Sequence, residues 1–149
     1  MAQLNGRTAT FKLMAIEGLA RTGDRSRAES VVNAVSSERN DGIVLASHFA
    51  NVMLANGKVD PVVEALGRSK QHDQALLYIQ EIAASQPEVF AHHLQDPDAR
   101  IRVDIVDAIG LSGDARALPL IEPLARDHDA EVAKAAARAI ARLRGAQAS

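Results

Sequence analysis

Asp96-Pro-Asp-Ala-Arg-Ile101 and Asp127-His-Asp-Ala-Glu-Val132 can be laid over each other at a distance of 31 residues. Each opens an apolar-periodic run that ends in Ala-Ile, at Ala108-Ile109 and at Ala139-Ile140. Self-similarity at this period means stacked copies of one small supersecondary unit, not a chain wound around a single closed core.

Working outward, Asp98 stands where a helix N-cap is needed. Ile101, Ile105, Ala108 and Ile109 follow at i, i+4, i+7 and i+8, one face of a helix, with Val106 on its flank. Gly110 and Gly113 supply turn geometry. Asp114 offers a second N-cap, and Leu118, Ile121 and Leu124 form the next helical face. The unit is a helical hairpin. Pro119 fits the first turn of its second helix. Pro123 would cost roughly 3 kcal/mol in a helix interior, so a kink or a late helix start is expected there.

A looser copy lies near the N-terminus, where Leu19-Ala-Arg-Thr-Gly23-Asp24 falls on Ile109-Gly-Leu-Ser-Gly113-Asp114. It predicts helices near Thr8–Arg21 and Arg25–Ser37, with Phe11, Ala15, Ile16 and Leu19 of the first in the places of Ile101, Ile105, Val106 and Ile109. Between the copies, Ile43 to Ala55 reads as a helix broken by Asn56-Gly57. Val59, Val62, Val63 and Leu66 make a shorter one, with Pro61 in its first turn. Gln74 to Ala84 carries Leu76, Leu77, Ile79, Ile82 and Ala83, and a short helix with Val89, Phe90 and Leu94 follows Pro87. The last helix spans Ala130 to Arg144, burying Val132, Ala135, Ala136, Ala139, Ile140 and Leu143, with Gly145 to Ser149 as a tail. The expectation is an all-α, α-α superhelix of nine helices in one domain, 1–149. Its repeats lie near 7–37, 41–68, 72–95 and 97–127, with a half-repeat at 129–144.

Composition agrees. The chain is 47% hydrophobic with one Tyr, three Phe and no Trp, which suits closely packed Ala-rich helices and not an aromatic platform for single-stranded nucleic acid. A net charge of −2 provides no global field for DNA or anionic lipid. The absence of Cys excludes thiolate catalysis, disulfides and Cys-ligated zinc. No stretch reads as a signal peptide or a membrane span, so a cytoplasmic location is expected.

Several clusters invite a chemical reading. Glu88 and His92 are four apart, but His93 points about 100° away on a helix, and two ligands do not make a metal site. Asp104 and Asp107 belong to a solvated helix face, with Arg100, Arg102 or water as partners. Asp96, Asp98, Asp127 and Asp129 repeat with the unit and precede helices, as caps do, and they lack the ligand spacing of a calcium loop. Lys134, Arg138 and Arg142 form a basic stripe continued by Arg144, sufficient as the polar outer face of a terminal helix. No phosphate-cradling loop or nucleophile elbow is present. No catalytic group, metal or cofactor is expected.

Leu94 to Gly110, followed by Gly113-Asp-Ala-Arg-Ala-Leu-Pro-Leu-Ile121, resembles the HEAT-like repeats of the phycobilisome-lyase (E–Z) type. The resemblance is specific over Leu94–Leu143, moderate over Phe11–Val35 and weak between. It implies an α-solenoid with first helices on the convex face and second helices on the concave face. Such repeats often set an Asp against an Arg six residues on. Asp96 and Arg102 fit that spacing; Asp127, followed at that distance by Ala133, does not. HEAT-repeat enzymes with a di-iron centre use His-Glu dipeptides, and this chain has none.

The second helices offer Arg27, Glu29, Asn33, Asp60, Glu64, His92, Glu122 and Arg126, a row of mixed sign that suits a polar protein or peptide better than a polyanion. Glu64, His92, Glu122 and Arg126 are the expected centre of that surface, with Arg126 also within reach of Glu122 at i, i+4. The expected function is non-catalytic protein–protein interaction. The alternatives are an accessory subunit of a bilin lyase-like system, implied by the resemblance, and weak nucleic-acid binding through the C-terminal basic helix. Phe11 and Met14 leave the first helix with an apolar end through which the chain could dimerise; otherwise it is monomeric.

Overall fold

In a computed structural model, residues 2–23 and 40–148 are described. Every element among them is helical and none is a strand, as the repeat pattern requires. The helix expected over Arg25–Ser37 lies outside the described residues, and with it Arg27, Glu29 and Asn33. The chain divides into two compact units, Met1–Ala65 and Leu66–Ser149.

In the N-terminal unit, α1 (Ala2–Thr22) packs on α2 (Asp41–Ala55), which packs on the short α3 (Asp60–Glu64). Asn40 caps α2 by accepting the Ile43 N–H through its side chain at 3.2 Å, and Asn56 ends it in the left-handed region. The core holds Ile16 and Ala20 of α1 against Ile43, Leu45, Phe49 and Val52 of α2. This corrects the expected face of α1. Phe11 is 71% exposed, Met14 is 61% exposed, and Ala15 is also exposed. The apolar positions of α1 cover more of its circumference than α2 can bury, and the covered side is the one carrying Ile16 and Ala20.

In the C-terminal unit, α4 (His72–Ser85), α5 (Ala99–Ser112) and α7 (Ala130–Ala148) are the first helices of successive repeats, and each packs on the next. The second elements are not continuous α-helices. After α4 come two 3₁₀ turns, Pro87–Phe90 and His93–Gln95. After α5 come a 3₁₀ turn at Ala115–Ala117, one α-turn, α6 (Leu118–Ile121), and a further 3₁₀ segment at Glu122–Arg126. Pro119 and Pro123 each fall in the opening turn of a segment, where a missing N–H costs little. The strain expected at Pro123 is thus relieved by restarting the helix. Ile105, Ile109, Ile121, Val132, Ala136 and Leu143 are among the residues that close the core, as the spacing predicts. The tail expected from Gly145 is instead helical to Ala148, since Ala and Gln on either side favour helix enough to carry one Gly.

Gly113 ends α5 with φ +74°, a left-handed position open to a side chain but not to its backbone preference. Gly113→Ala is expected to cost about 1–2 kcal/mol in urea unfolding, the price of that conformation for an L-residue. An unchanged unfolding midpoint would show that the turn accepts another geometry.

Candidate functional site

The caps of α5 and α7 are built alike, 31 residues apart. Asp96 Oδ1 accepts the Asp98 N–H at 2.8 Å, and Asp98 Oδ1 accepts the Arg100 N–H at 2.9 Å. Asp127 Oδ1 accepts the Asp129 N–H at 2.9 Å, and Asp129 Oδ1 accepts the N–H groups of Glu131 at 2.9 Å and Val132 at 3.2 Å. The four aspartates that make the repeat visible are therefore structural.

Arg102 departs from its expected pairing. Its Nη1 donates to the backbone carbonyl of Asp96 at 2.6 Å, while Nε and Nη2 donate at 3.2 and 3.1 Å to the carboxylate of Asp127. The guanidinium is a clasp from one repeat to the cap of the next, with side-chain exposures of 6% for Arg102 and 8% for Asp127. Burial pushes the Asp127 carboxyl up, but the Asp129 N–H and the Arg102 guanidinium outweigh it and hold the group below its ordinary value.

Two carboxylates of α5 bridge to the neighbouring first helices. Asp104 meets His72 Nε2 at 2.9 Å, joining α5 to α4, and Asp107 accepts from Arg138 at 3.3 Å, joining α5 to α7. This corrects the expectation that Arg100 or Arg102 would face them. Gln80 donates to the Leu111 carbonyl at 3.5 Å, and Arg116 donates to the Ser85 carbonyl at 3.1 Å. The Gln80, Arg116 and Arg138 bonds each join residues 31 apart, so equivalent positions of adjacent repeats lie side by side. At the α5–α7 crossing, a β-carbon on Gly110 would stand 2.8 Å from Ala139 Cβ and 2.9 Å from its Cα. Gly110 thus permits close helix approach inside α5 and is not a turn residue. No buried side-chain N or O among the described residues lacks a partner.

The basic stripe of α7 is largely spent on acids. Lys134 reaches Glu131 at 3.2 Å, Arg138 reaches Asp107, and Arg144 reaches Glu122 at 3.7 Å. The second elements are different. His92, Glu122 and Arg126 are exposed, on the 3₁₀ segments and the turn between them. His92 and His93 lie edge to face with ring centroids 5.6 Å apart. Glu122 takes Arg144 as its ion partner, not the Arg126 expected at i+4. Glu64 is exposed at the end of α3, in the N-terminal unit, and its charge raises the pKa of His48 on α2 less than burial of that ring lowers it. Asp60 opens the same helix, half-buried.

Sequence reasoning missed an open groove of about 460 Å³ at the N-terminal ends of α4, α5 and α7. His72, Arg100, Val103, Asp104 and Glu131 line it. His72 and Asp104 are 32 residues apart, one more than the repeat spacing, at which Val103 stands, so the period alone does not pair them. Among the described residues no group of three or more His, Asp or Glu could hold a metal ion.

Residues 87–149 match the family model for HEAT repeats. The matched region starts at the second element after α4 and runs through α5, the α6 segments and α7, so it holds the clasp, both aspartate caps and the α5–α7 crossing. It is less than half of the chain, and of the bonds that join residues 31 apart it contains the one from Arg138 to Asp107 whole. No curated protein matches the chain. Among the described residues no helix is long and apolar enough to cross a membrane.

Proposed function

We propose that the chain is a non-catalytic protein-interaction module, and that its HEAT repeats bind a polar protein or peptide through the second-element face bearing His92, Glu122 and Arg126. In an α-solenoid this is the concave side. Glu64, exposed in the N-terminal unit, would contact a partner there in its own right. HEAT repeats commonly serve protein–protein interaction, and the observation that carries the reading here is a division of labour between the elements. Asp104 and Asp107 of α5 are committed to bridges to the neighbouring first helices, whereas His92, Glu122 and Arg126 stand exposed on the second elements, with Arg144, at 3.7 Å from Glu122, their only ion partner among the described residues. The Glu122–Arg144 contact, long and solvent-exposed, contributes at most about 1 kcal/mol. The engagement of Lys134, Arg138 and Arg144 with acids weighs against a polyanion-binding α7.

Charge reversal separates these readings. Glu122→Arg with Arg126→Glu is expected to leave urea unfolding within about 1 kcal/mol of the parent. The same pair should abolish capture of the partner identified by affinity purification from the native source. Lys134→Glu should leave capture intact. Capture that survives the first pair, or is lost equally with Lys134→Glu, would remove the second-element face as the binding surface. Binding to duplex DNA that falls steeply with salt would favour the nucleic-acid reading instead.

A further inference from the structure

The junctions between first helices differ in one respect. Between α5 and α7 the bridging cation is Arg138, whose charge does not change in the accessible pH range. Between α4 and α5 it is His72. Its Nε2 lies 2.9 Å from Asp104 Oδ2 and its Nδ1 lies 3.4 Å from Asp73 Oδ1. Both ring nitrogens therefore face a carboxylate. A neutral imidazole has one N–H and can satisfy only one of them; the imidazolium donates to both.

The start of α4 is built differently from those of α5 and α7. α5 and α7 open on aspartate side chains that bond the first-turn N–H groups, but Gln71, at the N-cap of α4, makes no side-chain cap hydrogen bond. We propose that His72 is a proton-operated latch, which holds the first turn of α4 to α5 by a charge-assisted bond when the imidazole is charged and loosens to a single neutral N–H, for which Asp104 and Asp73 compete, when it is not. The α5–α7 junction remains fastened throughout.

The groups around the ring favour the cation. Asp73 faces it from α4 and Asp104 from α5, and Asp129 and Glu131 line the same groove at the start of α7. Against them stands the Arg100 guanidinium from α5. Asp129 is shared with two backbone N–H groups and Glu131 with Lys134, so Asp104 and Asp73 dominate. The dipole of α4 opposes a cation in its first turn, but these two carboxylates lie closer to the ring. The Asp104 bond raises the His72 pKa above its ordinary 6.5, more than burial lowers it, and Asp73 adds to the rise. A raised folded-state pKa means that the latch contributes fully below the ordinary histidine value and is lost as pH rises through the folded value.

The test is a nuclear magnetic resonance titration of the full chain with amide exchange. His72 should titrate above its ordinary value. Between about pH 5.5 and 8.5, on either side of that value, protection of the Ala75 and Leu76 amides should fall several-fold relative to α7 amides at the same pH. His72→Gln should flatten this dependence, and Asp104→Asn should lower the His72 midpoint and flatten it too. A His72 midpoint at or below the ordinary value would overturn the latch, as would an undiminished pH dependence in His72→Gln. Either variant retains the partly exposed position, and the α7 amides report whether the fold is intact.

Discussion

Asp127→Ala and Arg102→Ala should each lower the unfolding free energy of the HEAT repeats by about 3–5 kcal/mol, because each leaves its partner charged, buried and unpaired. The geometry argues for the upper part of that range. The pair is bidentate, both side chains are nearly sealed from water, and each has a second task. Asp127 also receives the Asp129 N–H, and Arg102 also donates to the Asp96 carbonyl. Removing both charges with Arg102→Leu and Asp127→Leu should cost clearly less than the sum of the single losses, which a double-mutant cycle in urea measures directly. Full recovery is not expected, since the Asp96 carbonyl and the Asp129 N–H lose partners. The clasp also sets an acid limit. The Asp127 carboxyl sits below its ordinary value, so its contribution is complete above the usual carboxylate range near 3.9 and is lost as pH falls through the lowered folded value. Asp127→Asn should therefore lose less stability on acidification than the parent. Single substitutions costing under about 1 kcal/mol would show that the charges reach water on a short timescale and that the clasp is a surface pair in effect.

Gly110→Val should be comparably severe, at about 3 kcal/mol, and Gly110→Ala intermediate. Two terms compete for alanine. Replacing Gly inside a helix gains about 0.8–1.0 kcal/mol in propensity. Forcing a β-carbon to within 2.9 Å of the Ala139 backbone costs about 1–3 kcal/mol, because Ala139 Cα cannot rotate away and α7 must move as a body. The balance falls on the side of loss, by up to about 2 kcal/mol. For valine the added methyl groups deepen the clash, and a β-branched residue gains less propensity. Urea unfolding of the three proteins gives the order Gly, Ala, Val. A more stable Gly110→Ala would mean that α5 and α7 separate at little cost.

The sequence carries some of these features openly and hides others for physical reasons. The aspartate caps and the faces of α5 and α7 are legible because capping and helical periodicity act over a few residues. The broken form of the second elements is partly legible in Pro119 and Pro123. The partner of Arg102 is not. Local spacing offers Asp96 six residues away, whereas the bond forms with Asp127, a relation that exists only once repeats stack. Gly110 misleads in a related way, since a glycine near a helix end reads equally as a turn or as a place where another backbone passes. The apolar positions of α1 mark candidate faces, but only the packing of α2 decides that Ile16 is covered and Phe11 is not. In the candidate site, exposure of His92, Glu122 and Arg126 follows from the pattern. The choice of Arg144 over Arg126 by Glu122 does not, because it depends on where the last helix lies.

The bonds that join residues 31 apart also set a rule for how these repeats can change length. Gln80, Arg116 and Arg138 each reach one period along the chain, and the Arg102 clasp ties one repeat to the cap of the next. Inserting or deleting a whole period leaves every such reach with an equivalent residue at its far end. An insertion of any other length within a helix moves the donors off their acceptors and turns the buried faces toward water. The array can therefore grow or shrink by duplication in whole repeats, and each added copy would bring its own cap, its own clasp and a fresh stretch of second-element surface on which side chains are free to differ.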